Sequence, residues 1–280
     1  MGVTAGLAPQ VHQTISGRSR FYKKVGVDSV EEGGLTVYRV LLDGRVLKTP
    51  ARTSLHLPTL ELAMAIAAEW DAQTDVLRGI QPRTMPLMTL ASTAIDQVAV
   101  DPTPTKTTIL SYLPTDSALF FTTDEDRILL RKQKQHFQPT VRWLKRTFGI
   151  EVKTTVGFSA RIQHDESAAR RLGAVLDSMD AFSLACLQGA TMECKSVLLG
   201  LAYVSRHLTL EQTRIASRLE EECQIEWWGA VEGGHDLDRL NNAVSLSSVG
   251  AFMGLLWSPE QHEAALRLWV AASQRTESGV

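Results

Sequence analysis

The chain has 280 residues, a formal net charge of −2 and 44% hydrophobic residues. These values are typical of a soluble globular protein of one large or two small domains, which can bury a core without metal ions or disulfides. The balanced charge gives no basic surface for nucleic acid or anionic lipid, and no apolar run approaches the roughly 18 residues that span a bilayer. Three cysteines without CxxC spacing indicate free thiols in a reducing compartment.

The N-terminus has the composition of a targeting segment. The first 22 residues contain no acidic side chain, but they include Arg18 and Arg20 among scattered Ser and Thr. Such a composition is typical of the remains of an organelle transit peptide, and an ordinary disordered tail is the alternative. We therefore expect residues 1–19 to be a disordered tail or a targeting remnant.

The next stretch carries strand signals. Residues 21–48 are rich in Val, Tyr and Leu, and Asp43-Gly44 lies between two apolar runs, as in a hairpin turn. Pro50 closes the stretch, since proline cannot continue a central strand. The sequence predicts a small antiparallel sheet in which Asp43 and Gly44 are structural.

A helix follows the sheet. Pro58 suits its first turn, and Leu62, Ile66 and Trp70 recur at every fourth residue along one face. We expect Trp70 to stabilise this helix against the sheet, so that an arginine there would bury a charge and destabilise the fold by several kcal/mol. Breakers around Gly79 predict that an N-terminal domain spans residues 20–80.

The remainder, residues 81–280, is predicted to be mainly helical. Three prolines, Pro102, Pro104 and Pro114, indicate an irregular connection. Acidic residues 124–126 open a helix that runs to about Phe137, and a second helix follows Pro139. Further helices are expected from about Glu166, Asp180 and Thr191, and from the capping-box pair Thr209 and Gln212. The predicted class is α+β, with a small N-terminal antiparallel β domain containing a helix and a larger, mainly α-helical C-terminal domain.

One acidic run stands out in the helical part, LEEECQIEWWGAVEGGHD at residues 219–236. From Leu219 to Asp238 there are seven carboxylates and no Lys or Arg. Solvated helices usually mix the two signs, so this run requires a partner. That partner could be a metal ion, a basic segment of the same chain, such as residues 127–146, or another protein.

A metal site would use the carboxylates and the histidine of this run: Glu222, Glu226, Glu232, His235 and Asp236. Carboxylates four residues apart share a helix face, and a following histidine could complete a site. The sequence lacks the second helix with Glu-x-x-His that bundle-type metal sites use. A metal-dependent hydrolase built on residues 222–236 remains the alternative function.

Two adjacent tryptophans favour a protein partner. Neighbouring residues of a helix lie about 100° apart, so Trp227 and Trp228 cannot both point inward. We expect one of them to be partly exposed and to take part in an interface. The other four tryptophans are expected in the core: Trp70, Trp143, Trp257 and Trp269.

Several long motifs, in order, resemble one known family. They are RFYK at residues 20–23, LDGRVLKTP at 42–50, LPTLELAMAIAAEWDAQ at 57–73, MPLMTLASTAID at 85–96 and the acidic run itself. Together they resemble the assembly chaperone of the catalytic sector of the mitochondrial ATP synthase, the factor that binds the free α subunit. The resemblance covers nearly the whole folded chain, from about Phe21 to Phe252.

The resemblance implies a non-enzymatic chaperone that binds the unassembled α subunit and prevents its aggregation until the β subunit associates. It implies no cofactor, no nucleic acid and no membrane insertion, and we expect a monomer located in the mitochondrial matrix, or in the cytoplasm of a prokaryotic source. An acidic residue of the C-terminal domain is important in the family, and Glu222, Glu226 and Glu232 are the candidates. With Trp227, Trp228, His235 and Asp236, they form the expected partner-binding set.

Overall fold

Residues 17–75, 77–157, 160–231 and 233–275 are described in a computed structural model of the chain. Most of the expected tail or targeting remnant, residues 1–16, lies outside the described residues. The chain divides into two compact units, residues 1–100 and 101–280. The division therefore falls after Val100, later than the boundary at residue 80 that the breakers around Gly79 suggest.

The first unit begins with a four-stranded antiparallel sheet. Its strands are β1 (Val25–Glu32), β2 (Leu35–Leu42), β3 (Arg45–Val46) and β4 (His56–Leu57), and β2 pairs with each of the others. Asp43 and Gly44, with φ of 50° and 78°, form the two-residue turn between β2 and β3, where a left-handed backbone favours Asp and Gly.

Helix α1 (Leu60–Asp71) packs its apolar face within this unit. Thr59 caps its N-terminus by accepting a hydrogen bond from the Leu62 amide, and Ile66 and Trp70 are buried. The Tyr22 hydroxyl donates to the Trp70 carbonyl at 2.6 Å, and the two rings meet edge to face. The C-terminal end of α1 is therefore fixed by both packing and hydrogen bonding.

Two carboxylates explain why the helices after Gly79 belong to the first unit. Helix α2 (Pro86–Thr93) continues into a π-helical turn, Ala94–Val98. Glu69 of α1 accepts hydrogen bonds from the amides of Leu87 and Met88, both at 2.8 Å, at the N-terminus of α2. Asp96 accepts from the Thr49 hydroxyl at 2.6 Å. Both contacts join residues on opposite sides of the expected boundary.

The second unit is mainly helical. It contains α3 (Thr103–Ser111), α4 (Arg127–Phe148), α5 (Glu166–Asp177), α6 (Ala181–Cys194), α7 (Val197–Val204), α8 (Leu210–Ser217), α9 (Leu219–Trp228), α10 (His235–Leu256) and α11 (Pro259–Arg275). Two short strands, β5 (Phe120–Phe121) and β6 (Thr155–Val156), pair in parallel. Every residue of α7 is buried, so this helix forms the centre of the unit. A small antiparallel sheet followed by a helical region confirms the predicted fold class.

A buried carboxylate fixes the N-terminus of α7. Asp116 is fully buried, and its two oxygens accept hydrogen bonds from the amides of Ala118 and Leu198, both at 3.0 Å. Burial raises the pKa of Asp116 to about 6, although these hydrogen bonds favour the charged form. None of the helices in the described parts of the chain is both long and apolar enough to traverse a bilayer.

Two expectations about proline were wrong. Helix α4 is a single helix that continues through Pro139, because Phe137 and Trp143, on either side of the proline, are both buried. The packing of these two side chains offsets the loss of the backbone hydrogen bond that proline cannot make. The connection expected around Pro102 and Pro104 contains α3. Pro102 is the N-cap residue of this helix and Pro104 lies in its first turn, where an amide hydrogen needs no helical partner.

The helix expected to begin near Thr191 begins later. Helix α6 runs through Thr191, and Lys195, with φ of 52°, ends it. Ser196 then caps α7 by accepting a hydrogen bond from the Leu199 amide. The capping box of Thr209 and Gln212 at the start of α8 is confirmed, with both of its hydrogen bonds formed.

Candidate partner-binding surface

Helix α9 carries the acidic run and is attached to its unit by a narrow apolar face. Leu219 and Cys223 are its two buried residues, and they lie one turn apart. Glu220, Glu221 and Glu222 occupy the first turn, where the positive end of the helix macrodipole stabilises carboxylates. The remaining side chains of the helix are at least partly accessible to solvent.

Two arginines that flank the run neutralise part of it. The buried Arg218 pairs with Glu221 at 2.6 Å and with Glu222 at 3.2 Å. Arg239 of α10 donates two hydrogen bonds to Glu222, at 2.9 Å from Nε and at 2.6 Å from Nη2. The Arg239 guanidinium, and then that of Arg218, hold the pKa of the Glu222 carboxyl below its ordinary value. Glu222 therefore joins α9 to α10.

Helix α4 supplies partners for two further glutamates. Lys132 Nζ lies 2.8 Å from a carboxylate oxygen of Glu226, and the Gln133 side-chain amide donates to Glu220 at 2.7 Å. The basic segment considered as an internal partner thus contacts the acidic run. It forms an ion pair with Glu226, whereas Glu222 is paired by the arginines at the two ends of the run.

Both tryptophans of the run are exposed. Trp227 is 43% and Trp228 77% accessible to solvent, and the two rings meet edge to face with centroids 5.8 Å apart. The sequence predicts that one of the two is partly exposed, whereas both are exposed in the structure. Among the other four, Trp70, Trp143 and Trp269 are buried, and Trp257 is half-buried.

The N-terminal half of α10 exposes an apolar stripe that lies outside the predicted partner-binding set. Leu237, Leu240 and Val244 follow the i, i+3, i+7 spacing of one helix face, and they are 58%, 59% and 46% exposed. Val231, just before the helix, is 65% exposed. The spacing is present in the sequence, but spacing alone does not show whether another element covers that face of the helix.

These exposed apolar side chains are concentrated in one short stretch. Six of the 17 exposed large apolar side chains in the described residues lie between positions 227 and 244. We call these six residues the exposed apolar segment: Trp227, Trp228, Val231, Leu237, Leu240 and Val244. Scattered apolar residues on a surface are ordinary, whereas a concentration of them marks an interaction site.

The exposed apolar segment lies in a strongly negative stretch. Residues 218–239 contain seven carboxylates and two arginines, which gives a formal charge of −5. Asp236 is exposed and lies 3.7 Å from Arg239, and Asp238 is exposed on the same first turns of α10. Exposed apolar and acidic side chains therefore occur together in this stretch.

The groups considered for a metal site are engaged elsewhere. His235 accepts a hydrogen bond at Nδ1 from the Val231 amide at 2.9 Å, while Glu222 and Glu226 are paired with cations. Glu232 lies outside the described residues. Within the described ranges, no group of three His, Cys, Asp or Glu side chains is placed to hold a metal ion.

In the first unit, two of the three residues expected to be structural border a cavity of about 600 Å³. Trp70 and Asp43 are among its lining residues, together with Tyr22 and Met88. The Asp43 carboxylate accepts hydrogen bonds from the amides of Lys23 and Lys24, which lower its pKa. These hydrogen bonds tie the β2–β3 turn to the segment before β1.

Comparisons with known proteins identify the family. Residues 19–145 match the family model described as ATP12 chaperone protein. A mutant form of Atp12p from P. denitrificans has a similar structure, with a TM-score of 0.75 and 30% identity, covering 85% of this chain and 98% of that one. The mitochondrial atp12 protein of Schizosaccharomyces pombe is 26% identical, over 82% of this chain and 81% of the relative.

A further relative is the mitochondrial ATP12 protein of Saccharomyces cerevisiae, 24% identical over 83% of both chains. The location expected from the resemblance, mitochondrial or the cytoplasm of a prokaryotic source, agrees with two mitochondrial relatives and a bacterial one. The structural match at 30% identity extends over almost all of the Atp12p chain. The protein belongs to the ATP12 chaperone family, the ATP synthase assembly chaperones that its sequence motifs resemble.

Proposed function

We propose that the protein binds the unassembled α subunit of the ATP synthase through the exposed apolar segment and prevents its aggregation until the β subunit associates. The observation that carries this proposal is the concentration of exposed apolar side chains from Trp227 to Val244 on α9 and α10. An unassembled subunit exposes surface intended for its neighbour, and such surface aggregates. A chaperone that covers it needs an apolar surface of its own.

Binding must also be reversible. Large aromatic side chains are the commonest energetic anchors of protein interfaces, and Trp228, at 77% exposed, has most of its surface available for contact. The negative stretch around it contributes mainly to the rate of association and to the choice of partner. We expect moderate affinity, faster association at low salt, and action by binding rather than by catalysis.

The test is a co-refolding experiment. Purified α subunit is diluted from denaturant with this protein present, and aggregation is followed by light scattering. We expect suppression at a near-stoichiometric ratio, and its loss when Trp227 and Trp228 are both replaced by alanine. The matched control is Leu268→Ala, which removes a 62% exposed apolar side chain on α11. The parent protein leaving aggregation unchanged would contradict the proposal.

Charge reversal at Glu222 would not test the proposal clearly. Reversing the charge of Glu222 would also break its ion pair with Arg239, which joins α9 to α10, and its pair with Arg218 at the start of α9. Loss of function in such a variant would not distinguish a binding role from a structural one. The metal-dependent hydrolase gains no support, since Glu222, Glu226 and His235 are engaged as described above.

A further inference from the structure

The stripe on α10 restricts what can bind there. Leu237, Leu240 and Val244 lie along two turns of one helix, about 10 Å from first to last at 1.5 Å per residue. From Asp238 onward the amides of α10 donate within the helix, so most of this face offers no row of backbone hydrogen-bonding groups to an added strand. Recognition must therefore use side chains.

From this geometry, we propose that the stripe on α10 receives an amphipathic helix of the partner, one with an apolar face flanked by Lys or Arg. A ridge of apolar side chains at i, i+3 and i+7 packs into the groove between side-chain ridges on the apolar face of a second helix. The partner's cations would then lie beside Asp236 and Asp238, both exposed on the first turns of α10. The identification of this partner as the α subunit rests on the proposed function.

The charge argues against two other occupants. A second copy of the chain would bring two stretches of formal charge −5 together, which opposes pairing through this face. An anionic lipid surface would be repelled in the same way. Lys132 and Arg239 are already paired with Glu226 and Glu222, so they do not reverse the sign of the stretch.

The test uses three fluorescein-labelled synthetic peptides of about 18 residues, titrated with the full-length protein and followed by anisotropy. The first has a leucine face flanked by lysines. The second has the same face flanked by glutamates. The third has the composition of the first with the leucines scrambled off one face. We expect the first to bind at least about tenfold more tightly than the other two, because it alone matches both the stripe and the charge.

Variants locate the site. Leu237→Ser with Leu240→Ser should weaken binding of the first peptide by about tenfold or more, since burial of two leucines is lost. Leu268→Ser on α11 should not change it. Asp236→Asn with Asp238→Asn should weaken binding at low salt and reduce its salt dependence.

Three outcomes would overturn the inference: equal affinity for the leucine-face and scrambled peptides, equal affinity for the lysine and glutamate peptides, or dimers of the chain that the leucine-to-serine double variant abolishes. The refolding assay separates this result from the proposed function. Suppressed α-subunit aggregation without selective peptide binding removes the inference alone. Selective peptide binding without suppression of α-subunit aggregation would contradict the proposed function and still support the stripe on α10 as a helix-binding surface.

Discussion

Two carboxylates and the exposed apolar segment depart from the usual distribution of polar and apolar residues: the carboxylates are withdrawn from solvent, and the apolar side chains are exposed to it. Asp116 is fully buried and Glu69 half-buried, yet each accepts two backbone hydrogen bonds at the start of a helix. Trp228 and Leu240 are apolar and exposed to solvent. A carboxylate whose hydrogen bonds are all made inside the protein is therefore structural, whereas an apolar side chain that nothing covers indicates a partner.

The largest change in the free energy of unfolding is expected from a contrast between two leucines of one helix. Leu246 is fully buried in α10 and Leu240 is 59% exposed. Leu246→Ala should lower the free energy of unfolding by about 2–5 kcal/mol, because it leaves a cavity in the core. Leu240→Ala should change it by no more than about 0.5 kcal/mol. Urea denaturation of both variants measures the difference, and equal losses would mean that Leu240 is a core residue.

The next effect concerns the buried carboxylate of the second unit. Asp116→Ala leaves the buried amides of Ala118 and Leu198 without an acceptor, so the free energy of unfolding should fall by about 2–4 kcal/mol. Asp177→Ala is the control, since its carboxylate is exposed and pairs with Lys106 at the surface. Similar urea midpoints for the two variants would refute a structural role for Asp116.

The pH dependence of the free energy of unfolding tests whether burial raises the pKa of Glu69. Burial raises the pKa of Glu69 to about 7. The folded state therefore binds a proton more tightly than the unfolded state, whose carboxyl has an ordinary pKa of about 4.3. The proton on Glu69 therefore stabilises the folded state fully below about pH 4.3, and this contribution is lost as the pH rises through about 7. The free energy of unfolding should fall by roughly 1–3 kcal/mol over this range. In Glu69→Gln this contribution should disappear, and an unchanged pH profile would contradict the assignment.

The smallest effect is a change of pKa at the junction of α9 and α10. Arg239→Ala should raise the pKa of the Glu222 carboxyl towards its ordinary value, since Arg239 is the main cause of its depression. An NMR titration of the side-chain carboxyl of Glu222 measures it. An unchanged value would mean that the two helices are not joined as described.

Local signals in the sequence were enough for some elements. The Asp43-Gly44 turn, the α1 stripe and the capping box at Thr209 each depend on residues close together in the chain. The continuation of α4 through Pro139 does not, because it depends on burial of Phe137 and Trp143 by distant segments. The assignment of α2 to the first unit likewise depends on Glu69, remote in sequence from the amides that it binds.

The candidate surface was only partly predictable. The pair Trp227 and Trp228 could be chosen because neighbours in a helix diverge. The pairing of Glu222 could not be foreseen, since Arg218 and Arg239 lie just outside the run that looked unmixed. Leu240 was missed because helical spacing marks an apolar face without saying whether another element covers it.

The proposed binding surface is tested most directly by identifying which helix contacts the α subunit. A benzoylphenylalanine photocrosslinker is placed at Leu240 on α10, or at Gln135, an exposed position of α4. Each protein is irradiated while the ATP synthase α subunit is diluted from denaturant, and the crosslinked product is quantified. We expect a crosslink from position 240 and little from position 135. A crosslink from position 135 with none from position 240 would show that the exposed apolar stripe of α10 is not the binding surface.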